Sequence, residues 1–441
     1  MKTLLNILTY ISAFFSLLPF LKPQDRSQKT LLWVPKLLAG AFSPIHAIIC
    51  GLGALLGLVR RDWKLASAGL IGVGLSAKFL EEVPGSETQF TQAFGSDWER
   101  KIPDWLAPKL LPARFALPVK AIEGQVQFLQ DIHLGAKPQG EEDLLADLWL
   151  PGPGTTPSRL GIVYVHGGGW RVGEKDMGTR PFFTRLASQG HVVLDIAYSL
   201  WPQADMPTMV MEINQAILCL KRKAPDYGVD PGKIVLMGGS AGAHLSLLAA
   251  YTPGEAAFQP PEIGRAGWQP ALQEGDTSVC AVVAFYPPVD LAELQKPLEE
   301  YTQRSTNGLL EQVADSMMQA VFHPPNARGT QTGGQKATLD IISEMLGGSA
   351  QQIPGTYQLL SPISHVSADC PPTLLLQGAD DVFELAPGVR RLHAKLQQAG
   401  VPVVLVEFSH SEHAFDLMVP QISPLAQAST YDVERFLAML V

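Results

Sequence analysis

Ser240 stands in Gly238-Gly239-Ser240-Ala241-Gly242, a G-x-S-x-G pentapeptide. Its flanks suggest what the serine could do. Ile234 to Met237 is a short apolar run that reads as a buried strand, and Ala243 to Tyr251 is rich in the helix formers Ala and Leu. A strand, a tight turn and a helix make a nucleophile elbow. The serine would sit on a strained turn, and a Cβ at Gly238 or Gly242 would clash with backbone passing close by. The Ala241 N–H would lie at a helix N-terminus, free to face a developing oxyanion.

A second glycine cluster, His166-Gly167-Gly168-Gly169-Trp170, follows the apolar run Leu160 to Val165. Glycine lets backbone N–H groups converge with no side chain in the way. Gly167 and Gly168 could join Ala241 in an oxyanion hole, where each donor contributes about 3 kcal/mol. His166 reads as a brace for this loop rather than as a base. A serine nucleophile also needs a base, and the base an orienting acid. Gly378-Ala379-Asp380-Asp381 follows the strand Thr373 to Gln377, and Ser409-His410-Ser411-Glu412-His413-Ala414-Phe415 follows the strand Val401 to Phe408. The acid loop thus opens at the C-terminal end of a strand, where catalytic groups gather in an α/β sheet. Each loop offers two candidates, Asp380 or Asp381 and His410 or His413.

The elements that must position these residues alternate. Val126 to Ile132 and Asp143 to Leu150 read as an antiparallel hairpin. Strands at 160–165, 191–196, 234–237, 280–286, 373–377 and 401–408 are interleaved with helices at 180–189, 207–223, 243–251, 386–398 and 425–441. That alternation predicts a mostly parallel sheet covered by helices on both faces.

The motifs HGGGW at 166–170, GGSAGAHL at 238–245, PPTLLLQGADD at 371–381 and HAF at 413–415 resemble the hormone-sensitive-lipase-like α/β-hydrolase esterases and the neighbouring feruloyl/acetylxylan esterase-like enzymes. Tyr198-Ser199-Leu200-Trp201-Pro202 echoes that group's Y-R-L-x-P segment, with Ser199 where Arg is usual, and Gln377 stands where the group often has His. The resemblance covers about residues 125 to 441. It implies an α/β-hydrolase fold, Ser240 as nucleophile, Asp381 as the G-x-x-D acid, His413 as the H-x-F base, and Gly167 and Gly168 as oxyanion glycines. Asp380 then reads as a loop cap, His410 as a solvated residue, and Glu412 and Asp416 as local charges. About 60 residues after Tyr286-Pro287-Pro288-Val289-Asp290-Leu291, an insert at about 292–358, are placed to act as a cap, with helix-like stretches at 309–322 and 339–346 and the Gly- and Gln-rich stretch Arg328 to Lys336 between them. Thr252 to Thr277 is a second, polar, Pro-rich excursion on the same side.

The first 82 residues are of another kind. Leu4 to Leu21, Leu37 to Val59 and Leu65 to Leu80 are apolar stretches with few charges, and the second is long enough to cross a bilayer. The first is followed by Lys22-Pro23-Gln24-Asp25-Arg26 with no small-residue cleavage site, so an uncleaved anchor is expected. The stretches at 22–36 and 60–64 are loop candidates rich in Lys and Arg. Keeping Lys2 and the Arg60-Arg61 turn inside, with three spans, would put the large domain outside the cytoplasm. Gly69, Gly72 and Gly74 suit close packing on the second stretch. Residues 83–122 read as a polar linker, Val83 to Glu99, and a proline-broken apolar segment that could lie on the membrane or cover the pocket mouth.

The composition agrees with a membrane part: 46% of residues are hydrophobic and mean hydropathy is +0.11. A net charge of −9 argues against nucleic acid as partner. Cys50, Cys219, Cys280 and Cys370 show no metal-ligand spacing and read as free thiols. The expectation is a membrane-anchored serine carboxylesterase acting on a small-molecule or lipid ester, with no metal and no organic cofactor. An amide or peptide hydrolase on the same residues, and a catalytically silent binding domain on a membrane stalk, are the other readings.

Overall fold

The computed structural model describes residues 2–83, 85–117, 119, 124–138, 142–259, 275–295 and 341–441. Of the expected cap, the stretches at 309–322 and 328–336 lie outside the described residues, as does 260–274 of the second excursion.

The chain opens with helices α1 (Lys2–Leu17), α2 (Arg26–Ala41), α3 (Ser43–Arg60), α4 (Trp63–Glu81) and α5 (Glu87–Phe94). Strands β1 (Val126–Ala136), β2 (Asp143–Pro151) and β3 (Gly161–Val165) lead to α6 (Arg180–Ser188) and β4 (Val192–Ile196). Helices α7 (Met206–Arg222) and α8 (Ala224–Tyr227), strand β5 (Ile234–Gly239), helix α9 (Ala241–Tyr251) and strand β6 (Ala281–Phe285) follow. Then come α10 (Ile341–Leu346), α11 (Pro354–Leu359), β7 (Thr373–Gly378), α12 (Ala386–Gln398), β8 (Val403–Phe408) and α13 (Pro424–Ala438).

The described strands form an eight-stranded sheet in the order β1-β2-β4-β3-β5-β6-β7-β8. β1 and β2 pair antiparallel, β2 meets β4 antiparallel, and all later pairings are parallel. This is the mixed sheet of an α/β-hydrolase fold, and its inner strands β3 to β7 are buried throughout. Alternate residues of one strand face opposite sides. Val163, Leu194, Leu236 and Val282 pack with α7, α9 and α12, whereas Ile162, Val193, Val235 and Val283 pack with α6 and α13.

Helices α1, α3 and α4 pack on one another. Their outer faces are apolar and open: Leu4, Leu55, Val59 and Ile71 are 58%, 61%, 75% and 60% exposed. Thr3–Phe20 and Ser43–Arg60 are long and apolar enough to cross a membrane. A Cβ on Gly69 would lie 2.5 Å from the Ala54 nitrogen, and one on Gly72 2.4 Å from Cys50 Sγ, so both glycines serve the packing on α3, whereas Gly74 faces open space.

Three stretches differ from the sequence expectation. Residues 26–41, read mostly as a loop, form α2, because Asp25 accepts from the Ser27 and Gln28 amides and starts the helix. The apolar run 37–59 is therefore broken at Phe42. Residues 83–99, read as a linker, contain α5, whose Phe90 is fully buried against Trp98 at 4.8 Å between ring centroids. The apolar segment beyond wraps the C-terminal helix. Leu106 and Leu110 cluster with Ala438, and Arg114 pairs with Asp432.

Candidate active site

The elbow forms where β5 ends and α9 begins. Ser240 has φ 53° and ψ −121°, a conformation that costs a non-glycine residue about 1–3 kcal/mol. Its surroundings hold it there: the Ser240 amide donates to the Phe285 carbonyl at 2.9 Å, and the His244 amide to the Ser240 carbonyl at 3.0 Å. A Cβ on Gly242 would lie 2.0 Å from the Val165 carbonyl oxygen, and one on Gly238 2.7 Å from it. The helix start thus lies against the end of β3, and only glycine fits.

The loops after β7 and β8 bring Asp381 and His413 to this serine. His413 Nε2 lies 2.9 Å from Ser240 Oγ, and its Nδ1 lies 2.8 Å from Asp381 Oδ2. Asp381 and His413 are both buried. Asp381 Oδ1 accepts from the Phe383 amide at 2.8 Å, and Oδ2 from Gln377 Nε2 at 3.1 Å. The imidazole is flanked by the rings of Tyr286, 4.4 Å away, and Phe383, 4.7 Å away. Sequence reasoning missed these aromatic flanks and the role of Gln377.

The other members of both loops have definite partners. Asp380 is an ion-pair partner of Lys36 at 3.1 Å rather than a loop cap. His410 is not solvated: its Nε2 lies 2.6 Å from Glu82, and its ring meets Phe20 at 4.6 Å. Glu412 is buried and pairs with Lys36 at 2.7 Å, and burial pushes its carboxyl up to about 7. Asp416 accepts from the Tyr286 hydroxyl at 2.6 Å, and desolvation pushes it up to about 6. The last two are more than local charges.

The glycine loop after β3 faces the elbow. A Cβ on Gly167 would lie 2.9 Å from the Gly239 carbonyl oxygen, and Gly168, at φ 121°, would put one 1.9 Å from the Val172 carbonyl oxygen. Buried His166 donates from Nδ1 to the Gly167 carbonyl at 2.8 Å, and the Tyr198 hydroxyl donates to the His166 carbonyl at 3.1 Å. Burial holds the imidazole at about 4, so it is neutral near pH 7. Gly167, Gly168 and Ser240 line one pocket with His413, and Ala241 follows at the first position of α9. The rest of the pocket wall is largely apolar: Trp33, Met177, Phe383 and Leu417. None of the described residues of 83–117 lines it.

Residues 146–396 match the BD-FAE family. The chain is 30% identical over 297 residues to the probable carboxylic ester hydrolase LipM of Mycobacterium tuberculosis, an alignment covering 66% of this chain and 57% of that protein. It is 29% identical over 283 residues to esterase LipQ of the same organism, covering 64% of this chain and 56% of the relative. The chain thus spans little more than half the length of these curated relatives. Among solved structures it is similar to a thermophilic esterase of Thermogutta terrifontis bound to propionate, with a TM-score of 0.47 and 21% identity, covering 72% of this chain and 94% of that one. The family match takes in more than half of the sequence, and on it the chain belongs to the BD-FAE family.

Proposed function

We propose that the chain is a membrane-anchored serine carboxylesterase. The observation that carries this reading is the relay Ser240–His413–Asp381, with contacts of 2.9 and 2.8 Å beside a loop of three glycines. His413 takes the Ser240 proton as Oγ attacks the ester carbonyl, and Asp381 fixes the His413 tautomer and stabilises the imidazolium. The backbone N–H groups of Gly167, Gly168 and Ala241 hold the oxyanion, each contributing about 3 kcal/mol. His413 then gives its proton to the leaving alcohol. Water, activated by the same histidine, releases the acid from the acyl-enzyme.

The apolar pocket wall and the open apolar faces of α1, α3 and α4 support an apolar ester as substrate and the bilayer as the anchor's surroundings. The hydrolase part lies outside the cytoplasm in this reading, with Lys2 and the Arg60-Arg61 turn inside.

The test is hydrolysis of p-nitrophenyl esters, acetyl through palmitoyl, by the full chain in detergent and by Ser240→Ala. Turnover in the wild type and its loss by about 10³-fold or more in the variant is the expected result. Equal turnover by both would remove Ser240 from the mechanism, and no turnover on any ester by a folded wild type would turn the reading towards amide substrates.

A further inference from the structure

The active site of this chain is not closed by the hydrolase sheet alone. Helix α2, which lies between two apolar helices and far from the motifs in sequence, is built into it. Trp33 lines the same pocket as Ser240 and His413. Its indole Nε1 donates to the His413 carbonyl at 3.0 Å, and its ring meets Phe383 at 5.5 Å and His413 at 6.3 Å. One turn on, Lys36 is 3% exposed and its ammonium reaches two carboxylates, Glu412 at 2.7 Å and Asp380 at 3.1 Å. Glu412 precedes His413, and Asp380 precedes Asp381. The lysine therefore ties the acid loop to the base loop.

The energetics make this tie specific. A buried carboxylate left without its cation is strongly destabilising. Without Lys36, Glu412 would face Asp380 and Asp381 alone, and its Oε2 already lacks a partner among the described residues. Glu412 would take up a proton instead, and the base loop, no longer tied to Asp380, would carry His413 out of line. Trp33 acts differently, because it is half-buried at the pocket wall and its truncation would widen the space open to an ester.

We propose that helix α2 completes the catalytic centre: Trp33 is a specificity-determining wall of the ester pocket, and Lys36 is a positioning residue for His413. The inference rests on the esterase reading. The consequence is that the segment between the first two apolar helices sets both the range of esters accepted and the alignment of the base.

The experiment compares the full chain in detergent with Trp33→Ala, Trp33→Phe, Lys36→Gln and Lys36→Arg over the same p-nitrophenyl ester series, with thermal midpoints measured alongside. Trp33→Ala should raise kcat/KM for long-chain relative to acetyl ester by about tenfold, the scale of a few methylenes in an apolar pocket, with Trp33→Phe close to wild type. Lys36→Gln should lower kcat on every ester by about tenfold or more with KM little changed, because small misplacements of a catalytic group are costly, and Lys36→Arg should restore much of it. An unchanged chain-length profile in Trp33→Ala would remove the specificity role. Wild-type kcat in Lys36→Gln would remove the positioning role, and so would a loss that follows a fallen midpoint and is not recovered by Arg. Wild-type turnover abolished by Ser240→Ala, together with unmoved variants, would sink this inference and leave the esterase standing. No turnover by the wild type would sink the esterase reading itself.

Discussion

Gln377 spends both hydrogens of its amide on the acid loop, one on Asp381 Oδ2 at 3.1 Å and one on the Gly378 carbonyl at 2.9 Å. It is fully buried at the end of β7. A carboxylate that orients a histidine works only if its own direction is fixed, and here the Phe383 amide and Gln377 fix one oxygen each. A hydrogen bond to a charged group contributes about 1.5–3 kcal/mol, part of which is felt in the transition state as the imidazolium forms. Gln377→Ala should therefore lower kcat by about 3- to 30-fold with little change in KM, read on a short p-nitrophenyl ester. Full activity in a folded variant would mean that the Phe383 amide alone suffices. The proposed grouping of Ser240, Asp381 and His413 could be drawn from the sequence because its cues are local: a glycine turn, a strand end, and a motif spacing. Trp33 and Lys36 were not, since the contacts that give them meaning span 380 and 344 positions of the chain. No local pattern distinguishes a lysine that meets two carboxylates across the fold from one that meets water.

At the scale of elements, the alternation of strands and helices was readable because each inner strand is a short apolar run and each covering helix carries an apolar stripe. The segment Glu87–Phe94 failed that reading. It is short and mostly polar, with Phe90 buried and Ala93 and Phe94 packed against the core. Phe90 is nevertheless completely buried, stacked near Trp98, and the helix packs beside β8. Ser86, just before it, donates to Asp432 of α13 at 2.5 Å. This segment therefore closes one face of the sheet rather than joining two parts. Phe90→Ala should cost about 3–5 kcal/mol of stability, as large-to-small changes at buried aromatics do, and lower the thermal midpoint clearly. Since α5 does not line the pocket, kcat on a short ester should stay near wild type below that midpoint. A midpoint within a degree or two of wild type would mean that α5 is docked too loosely to matter.

If the chain is anchored in a bilayer, as proposed, the fold constrains its path. Helix α2 lies between α1 and α3, yet it is ion-paired to the loops that carry Asp381 and His413. The hydrolase part begins only after α4. The end of α1 and the end of α4 also reach that part together: Phe20 and Glu82 both meet His410, and Phe79 and Leu37 belong to the core of the α6 and α13 face. The Arg60-Arg61 turn is at the other end of the bundle. If α1 and α3 cross, α2 lies on the far side from Lys2 and the turn lies on the near side. The hydrolase can then meet α2 only if α4 crosses back. By apolarity α4 falls short of the two candidate spans, but its 19 residues extend about 28 Å, close to the ~30 Å of a hydrocarbon core. Its Gly69 and Gly72 are turned to α3, and Lys78 sits near the end, over the Phe20 ring at 5.3 Å, where its charge reaches the interface. On that premise we propose three spans, with Lys2, Arg60, Arg61 and Lys64 together on the inner side. Fusions to a phosphatase that is active only outside the cytoplasm check this, placed after residue 24, after residue 62, and on the full chain after residue 441. Activity at 24 and 441 with silence at 62 is the expected pattern. Matching signals at 62 and 441 would mean that α4 does not cross, and one signal at all three would mean that the bundle lies on one side of the membrane.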